Sequence, residues 1–317
     1  MFAVVFPGQG SQKPGMGRDL EAQFPEARQV FDEASIATGE DLRHICFELD
    51  EATLRQTQHA QLALFTCGVA AWESLKPHIG AAIPHFMAGH SVGEYAALVA
   101  AGVLSLPDGA RLVRERGRLM AEAGAKQPGA MAAVLGLELP TVEWAVERAQ
   151  SVGVVAVAND NAPGQVVISG TPEAVQAASE FAKEIGAKRV LPLNVSGAFH
   201  SPLMNEPAEG FREPLRHVTF QGSPFGIQVV ANVTAAPIDD PTEWPDQLVR
   251  QLASPVQWTQ TMAYLAHHGV HFAVECGSGE VLCGLFKRGA PAISSAAAHD
   301  ASSVHHAARI ITEGRPT

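Results

Sequence analysis

The sequence has few cysteines and no zinc-site spacing among them. Its four cysteines are Cys46, Cys67, Cys276 and Cys283. No two of them form a C-x-x-C pair, and no run of histidines accompanies them, so neither a metal site nor a disulfide framework is indicated. Free thiols of this kind are typical of a reducing compartment.

Basic charge and long apolar runs are also scarce. Lysine and arginine number 22 against 33 aspartates and glutamates, for a net charge of −11. This balance argues against nucleic acid or an anionic membrane as the main partner. The apolar start Met1–Phe6 lacks the basic residues of a signal peptide, and no stretch reaches membrane-spanning length. We therefore predict a cytoplasmic protein with no membrane or nucleic-acid partner.

The composition is that of an ordinary α/β protein. The 317 residues are 46% hydrophobic and 17% charged, enough for a large core. Apolar runs such as Phe2–Phe6 alternate with amphipathic segments, which predicts a large hydrolase-like α/β domain with a parallel sheet over 1–127 and 195–317. Residues 128–194 read β-α-β-β-α-β, the ferredoxin-like order, and are predicted to form a small inserted domain.

Three further expectations concern local structure. We expect one helix over Leu20–Ala37 and a loop over Asn159–Gly164 between two short strands. The tail from Glu313 is expected to be disordered.

The most informative stretch is Phe86–Tyr95. A short apolar run meets Ser91, which is flanked by Gly89 and Gly93, and the chain continues into a helix rich in small residues. This strand, turn and helix order is typical of a nucleophile elbow, in which glycines let the backbone turn sharply and the serine stands at the tip. Ser91 is the candidate nucleophile; the alternative is a solvated serine in an ordinary turn.

A predicted amphipathic helix over Asp108–Glu122 carries four arginines. Arg116 falls on its apolar stripe, whereas Arg111, Arg114 and Arg118 share another face. An arginine directed inward needs an anionic partner, because an unpaired buried charge costs several kcal/mol. That partner is either an internal Asp or Glu or the carboxylate of a substrate.

Two loops offer further polar groups. Gln9 lies between glycines after the first predicted strand, where its side chain or backbone amide could face a site. His200 lies in the loop Asn194–Pro202 that leads out of the small domain, and its surroundings make it the best candidate base among the 13 histidines.

Together these motifs resemble the malonyl-CoA:acyl-carrier-protein transacylases of bacterial fatty acid synthesis. The resemblance covers nearly the whole chain and rests on five motifs in the family's order: Phe6–Gln12, Gly89–Tyr95, Glu115–Gly117, Gly197–Ser201 and Gln251–Trp258. It implies a malonyl-serine intermediate on Ser91 and transfer to the phosphopantetheine thiol of acyl carrier protein by a ping-pong reaction, with no bound cofactor or metal.

The resemblance also assigns roles to individual residues. It implies His200 as base, the main-chain carbonyl of Gln251 as its orienting group, and Arg116 as the partner of the malonyl carboxylate. The backbone amides of Gln9 and Val92 would form the oxyanion hole. Other residues expected to line the site are His90, Asn161 and Phe199.

Partners follow from the same resemblance. Carrier proteins of this pathway are acidic, so we expect a basic docking patch at Lys183, Lys188 and Arg189, with Lys287 and Arg288 as second choice. Each of these is equally consistent with an ordinary solvated charge. The enzyme is predicted to be a monomer.

The motifs leave three other functions open. A free-standing acyltransferase of a polyketide or malonate decarboxylase system would carry the same motifs. A patatin-like or lipase-like serine hydrolase shares the elbow, but it would normally use an aspartate, and none lies in an evident motif. A silent scaffold that binds carrier protein is the third reading.

Overall fold

The structure is a computed structural model and describes residues 1–195 and 197–314. The strands are β1 (Phe2–Phe6), β2 (Phe86–Gly89), β3 (Ala130–Leu135), β4 (Val155–Ala162), β5 (Gln165–Gly170), β6 (Arg189–Pro192), β7 (Gln228–Val230), β8 (Val256–Gln257), β9 (Phe272–Cys276) and β10 (Ser294–Ala298). The α-helices are α1 (Arg18–Gln23), α2 (Pro25–Thr38), α3 (Leu42–Phe47), α4 (Glu51–Leu54), α5 (Thr57–Leu75), α6 (Gly93–Ala100), α7 (Leu106–Lys126), α8 (Leu139–Ala149), α9 (Pro172–Glu184), α10 (Asn205–Gly210), α11 (Arg212–Leu215), α12 (Trp244–Ala253), α13 (Trp258–His267), α14 (Val281–Gly289) and α15 (Ala301–Glu313).

The larger part of the chain is built on a parallel sheet with the order β10-β9-β1-β2-β7. Every residue of β1 is buried: Val4 packs into the core that contains α5, while Val5 packs into the core that contains α13 and α14. An apolar run without alternation is what a strand covered on both faces requires. The predicted α/β class with a parallel sheet is therefore confirmed.

The second sheet has the order β6-β3-β5-β4-β8. Its first four strands are antiparallel neighbours and, with α8 and α9, give the predicted ferredoxin-like arrangement. The fifth strand, β8, comes from the segment after residue 195 and pairs in parallel with β4. The second sheet thus receives a strand from outside 128–194, and the predicted domain boundaries stay a prediction.

The expected helix over Leu20–Ala37 is wrong. The chain forms α1 and then α2, separated by Phe24, whose backbone is extended with φ −116°. Pro25 explains the break, because proline disfavours a helical residue before it and lacks the N–H that a continuous helix would use.

The expected loop over Asn159–Gly164 is also wrong. The segment Asn159–Ala162 continues β4 through two irregularities in register, and only Pro163 and Gly164 make the turn, with Gly164 at φ 72°. Of the expected tail from Glu313, the structure describes two residues: Glu313 is the exposed last residue of α15, and Gly314 caps that helix with φ 68°. The rest of that expected tail beyond residue 314 lies outside the described residues, as does Ser196 in the loop before His200.

Helices α5 and α7 position the site against the sheet. α5 is buried on almost every side, and α7 packs along it. The arginines of α7 divide as the pattern predicted. Arg116 is 1% exposed, whereas Arg114 pairs with Glu40 at the surface. No helix among the described residues is long and apolar enough to cross a membrane.

Candidate active site

Ser91 stands at the carboxyl end of β2, in the turn that leads into α6. Its backbone is left-handed, with φ 51°, a conformation that costs a non-glycine residue about 1–3 kcal/mol. The turn is possible because strand and helix cross closely. A Cβ at Gly89 would collide with the backbone of Gly93, and a Cβ at Gly93 would collide with the carbonyl of Phe6. This is the geometry of a nucleophile elbow.

His200 lies in the loop after β6, and its side chain reaches Ser91. Its backbone is also left-handed, with φ 57°. Nε2 lies 2.8 Å from the Ser91 hydroxyl oxygen, and Nδ1 lies 2.8 Å from the Gln251 carbonyl oxygen and 3.2 Å from that of Ser254. Because a carbonyl can only accept, Nδ1 carries the proton and Nε2 is free to accept the serine proton.

The imidazole of His200 is held in its neutral form. Burial and then the positive charge of Arg116 lower its pKa to about 3. The carbonyl bonds from Gln251 and Ser254 oppose this change but do not outweigh it. A neutral imidazole beside a serine is the protonation state that general base catalysis needs.

Arg116 lies beside Ser91 and His200, and oxygens of neutral side chains surround its guanidinium. Its guanidinium donates to the side-chain oxygen of Gln61, to Oε1 of Gln251 at 2.9 Å and to the Ser91 hydroxyl at 3.1 Å. Among the described residues no carboxylate forms an ion pair with it, and its buried Nε has no hydrogen-bond partner. Of the two partners that the sequence left open, an internal Asp or Glu in direct contact is thus absent from residues 1–195 and 197–314.

Two residues that line the cavity have backbone amides without an acceptor among the described residues. The Val92 amide follows the nucleophile, and the Gln9 amide lies in the loop after β1. The side chain of Gln9 is held aside by Thr57, whose hydroxyl donates to it at 3.0 Å. Two unpaired amides beside a nucleophile can stabilise a developing oxyanion.

These groups line one cavity of about 410 Å³. Among its walls are Ser91, His200, Arg116, Gln9, Val92 and Phe199. Its volume is in the range of small-molecule sites.

His90 and Asn161 link the two sheets at this cavity. Nε2 of His90 lies 2.8 Å from Oδ1 of Asn161, on β4. Burial lowers the pKa of His90, so its ring is neutral and donates through Nε2 to the amide oxygen. The structure thus brings together all nine predicted site residues, with Gln251 and Asn161 supporting the cavity from behind its walls.

Sequence reasoning missed two contributors, Asn232 and Gln61. Asn232 accepts from the Ser91 amide at 2.7 Å and donates to the Gly89 carbonyl at 2.6 Å, so it clamps both sides of the elbow. The sequence signal for Asn232 was its place just after β7. The carboxyl ends of the parallel strands β2 and β7 meet at one edge of the sheet, so Asn232 lies at the same edge as Ser91. Gln61 was signalled by being a polar residue within the apolar α5.

Comparison with known proteins places the chain in a family. The acyl transferase domain model matches residues 3–306. The malonyl CoA-acyl carrier protein transacylase of Bacillus subtilis (strain 168) is 41% identical over 313 residues, covering 98% of each protein. That of Escherichia coli (strain K12) is 43% identical over 303 residues, covering 96% of this chain and 97% of the relative.

Solved structures give the same result. The FabD transacylase of Xanthomonas oryzae has a TM-score of 0.92 at 41% identity, covering 96% of each chain. The malonyl-transacylase PlMCAT, solved with the type II polyketide acyl-carrier protein AntF, has a TM-score of 0.93 at 40% identity, covering 99% of each chain. The chain belongs to the acyl transferase domain family, as a member of its malonyl-CoA:acyl-carrier-protein transacylase group.

Proposed function

We propose that this protein transfers the malonyl group from malonyl-CoA to the phosphopantetheine thiol of acyl carrier protein, through a malonyl ester of Ser91, and so supplies fatty acid synthesis. The observation that carries the proposal is the buried guanidinium of Arg116, which lies 3.1 Å from the Ser91 hydroxyl and has no carboxylate partner among the described residues. A site built this way favours an acyl group that ends in a carboxylate. The names of its relatives support malonyl as that group.

The first half-reaction acylates the serine. His200 Nε2 takes the Ser91 proton as the hydroxyl oxygen attacks the thioester carbonyl, and the resulting oxyanion is stabilised by the amides of Gln9 and Val92. The C–S bond then breaks, and the imidazolium protonates the departing CoA thiolate. The Gln251 carbonyl holds the imidazole in the correct tautomer throughout.

The second half-reaction reverses these steps with a new thiol. His200 takes the proton of the phosphopantetheine thiol, the sulfur attacks the ester carbonyl, and the C–O bond to Ser91 breaks as the imidazolium returns the proton to the serine oxygen. No cofactor is needed, since phosphopantetheine arrives on the partner. Asn161 of the second sheet contacts His90 beside the elbow, and we propose that this cover limits the access of water to the ester.

The test is CoA release from malonyl-CoA with and without carrier protein. A transacylase releases about one equivalent of CoA per enzyme alone and turns over only with carrier protein, whose mass rises by one malonyl group. Sustained CoA release without carrier protein would instead support the serine hydrolase. The alternative is that the enzyme serves polyketide synthesis, since the relative PlMCAT was solved with the polyketide carrier protein AntF. Transfer rates to a fatty acid carrier protein and to a polyketide carrier protein, measured side by side, test this alternative.

His200→Ala should slow acylation of Ser91 by roughly two to four orders of magnitude, because the serine then loses its general base. Rapid-quench mass spectrometry of the adduct measures this rate. His268→Ala is a matched control, since this exposed histidine stacks on Tyr264 away from the cavity. A wild-type rate in the His200 variant would refute its role as base.

In the pH–rate profile of acylation, the midpoint of the acid limb should lie well below 6.5, the ordinary pKa of histidine. The low pKa of His200 keeps the base neutral as the pH falls, and kcat/KM reports the free enzyme. In the malonyl enzyme the bound carboxylate offsets the Arg116 charge, which raises the pKa of His200. Transfer to carrier protein should therefore fail at a higher pH than acylation does.

Rates of both half-reactions, measured from about pH 4 to pH 8, test this order of the two acid limbs. Arg116→Ala, assayed with acetyl-CoA, should shift the acylation limb upward, because the second cause of the low pKa is removed. An acylation limb at 6.5, or identical limbs for both steps, would contradict the assignment.

We further propose that carrier protein docks on a groove beside the second sheet. The groove is lined by Lys188, Arg189 and Arg288, with Glu138 as its one acid. It thus joins members of both predicted patches. No ion pair involves Lys188, Arg189 or Arg288 among the described residues. Pro163 and Gly164, just after Asn161 on β4, also line this groove, so it lies near the cavity.

Charge reversal at Lys188 and Arg189 should raise the KM for carrier protein about tenfold at low salt and leave malonyl-CoA kinetics unchanged. The effect should shrink as salt increases. Arg216→Glu is the control, since Arg216 is exposed and already paired with Glu213. An equal effect on both substrates would mean that the groove binds CoA phosphates or is structural.

The protein's place in the cell and its assembly are also proposals. The described cysteines are all free and buried, which fits a reducing cytoplasm. We propose a monomer, because the site is complete within one chain.

A further inference from the structure

Glu94 is a buried carboxylate that the mechanism above does not use. It lies on α6 one turn after Ser91 and is 2% exposed. Oε1 accepts from the backbone amide of Asn232 at 2.9 Å, and Oε2 accepts from the side-chain amide of Gln251. Within residues 1–195 and 197–314 no lysine, arginine or histidine forms an ion pair with it. A buried acid without a cationic contact is costly, so its two hydrogen bonds call for an explanation.

The hydrogen bond from Gln251 to Glu94 fixes the orientation of the Gln251 side-chain amide. Nε2 of Gln251 donates to Glu94 and to the Ser91 carbonyl at 2.9 Å, while Oε1 accepts from Arg116. The reversed amide would place N–H groups against the guanidinium and an oxygen against two acceptors. An ionised carboxylate can only accept, so Glu94 permits one orientation alone.

The hydrogen bond from the Asn232 backbone amide to Glu94 supports the elbow. The Asn232 amide that donates to Glu94 belongs to the residue whose side chain bridges the Ser91 amide and the Gly89 carbonyl. Glu94 therefore joins the support of the nucleophile to the support of Arg116. The negative charge of Glu94 also offsets the positive charge of Arg116, which lies on the other side of the Gln251 side-chain amide.

We propose that Glu94 is a positioning residue for acyl selection: by orienting the Gln251 amide it aims the Arg116 guanidinium at the carboxylate of the malonyl group. This inference rests on the proposed function. It predicts that Glu94 acts through Gln251 and affects malonyl transfer more than transfer of an uncharged acyl group.

The variant Glu94→Gln keeps the volume of the side chain but offers one acceptor oxygen to two donors. Because the Asn232 donor belongs to the backbone and cannot turn away, the oxygen faces Asn232 and the new N–H group faces Gln251. Either that N–H meets another N–H, or the Gln251 amide reverses and repels Arg116. We expect the ratio of malonyl to acetyl acylation rates on Ser91 to fall about tenfold or more. Assays at about pH 8 keep the wild-type carboxylate ionised, since burial raises the pKa of Glu94 to about 7.

A double-mutant cycle with Gln251→Leu tests the route of the effect. Without an amide to orient, Glu94→Gln should lower the ratio no further. A proportional loss of malonyl and acetyl rates, or effects that multiply in the double variant, would overturn the inference. If Glu94→Gln does not fold by circular dichroism, Gln251→Leu alone must lower the ratio, and an unchanged ratio there overturns it.

The wild-type measurement separates the two levels of inference. A wild-type protein that malonyl-CoA does not label would refute the proposed function itself. A labelled wild type whose acyl ratio survives Glu94→Gln would refute only the role of Glu94.

Discussion

Ser91→Ala is expected to abolish the malonyl adduct and with it all transfer to carrier protein. Alanine has no oxygen to form the ester, and the remaining groups of the site cannot carry the acyl group. The fold should persist, because both side chains carry a Cβ and bear the same strain at φ 51°. Mass spectrometry of the intact protein and of its peptides after exposure to malonyl-CoA measures the loss.

Ser201→Ala serves as the comparison for this variant. Ser201 is a buried serine next to His200, and its hydroxyl donates to the Ala198 carbonyl at 2.6 Å. It lies near the site but outside the reacting pair, so this variant should keep the adduct. Labelling that persists in Ser91→Ala at the wild-type level would place the acyl group elsewhere and remove the basis of the mechanism.

Arg116→Ala is expected to reverse acyl preference. A carboxylate supplies the anionic partner that the buried guanidinium lacks among the described residues, whereas an acetyl group leaves that charge unpaired. A missing group that strands a buried polar partner can cost roughly 10⁴ in kcat/KM. Malonyl acylation should therefore fall by up to about four orders of magnitude, while acetyl acylation holds steady or rises.

Arg114→Ala is the matched control on the same helix. Arg114 is exposed and paired with Glu40, so its loss should leave the acyl preference unchanged. If Arg116→Ala is folded and loses malonyl and acetyl transfer in equal proportion, Arg116 does not receive the carboxylate. Burial lowers the pKa of Arg116 below that of an ordinary arginine, because the guanidinium loses its contact with water. An anion bound beside it offsets this loss.

Discrimination against a branched malonyl group is a separate question of shape. Val92 and Phe199 are each next in sequence to a member of the reacting pair, and both are buried in the wall of the cavity. Methylmalonyl keeps the carboxylate that Arg116 would bind, so only contact with such side chains can exclude it.

Several features were predictable because they depend on neighbours in sequence. The glycines at 89 and 93 identified the elbow, since a sharp turn from strand to helix needs missing side chains at those positions. The placement of Arg116 on an apolar stripe predicted its burial, since helical periodicity alone decides which face turns inward. Motif resemblance then supplied the pairing of Ser91 with His200.

What the sequence by itself determined was thus the α/β class, the turn that carries Ser91 and the inward direction of Arg116, but neither the break at Phe24 nor the extent of β4. Only the tertiary structure decided that Arg116 meets amides in place of an acid, and that Asn232, Gln61 and Glu94 complete the site. These contacts join Ser91 to residues 25 positions away at Arg116 and 160 positions away at Gln251. Hydrogen bonds act over about 3 Å in space whatever the separation in sequence, so no local pattern can specify which distant groups become partners.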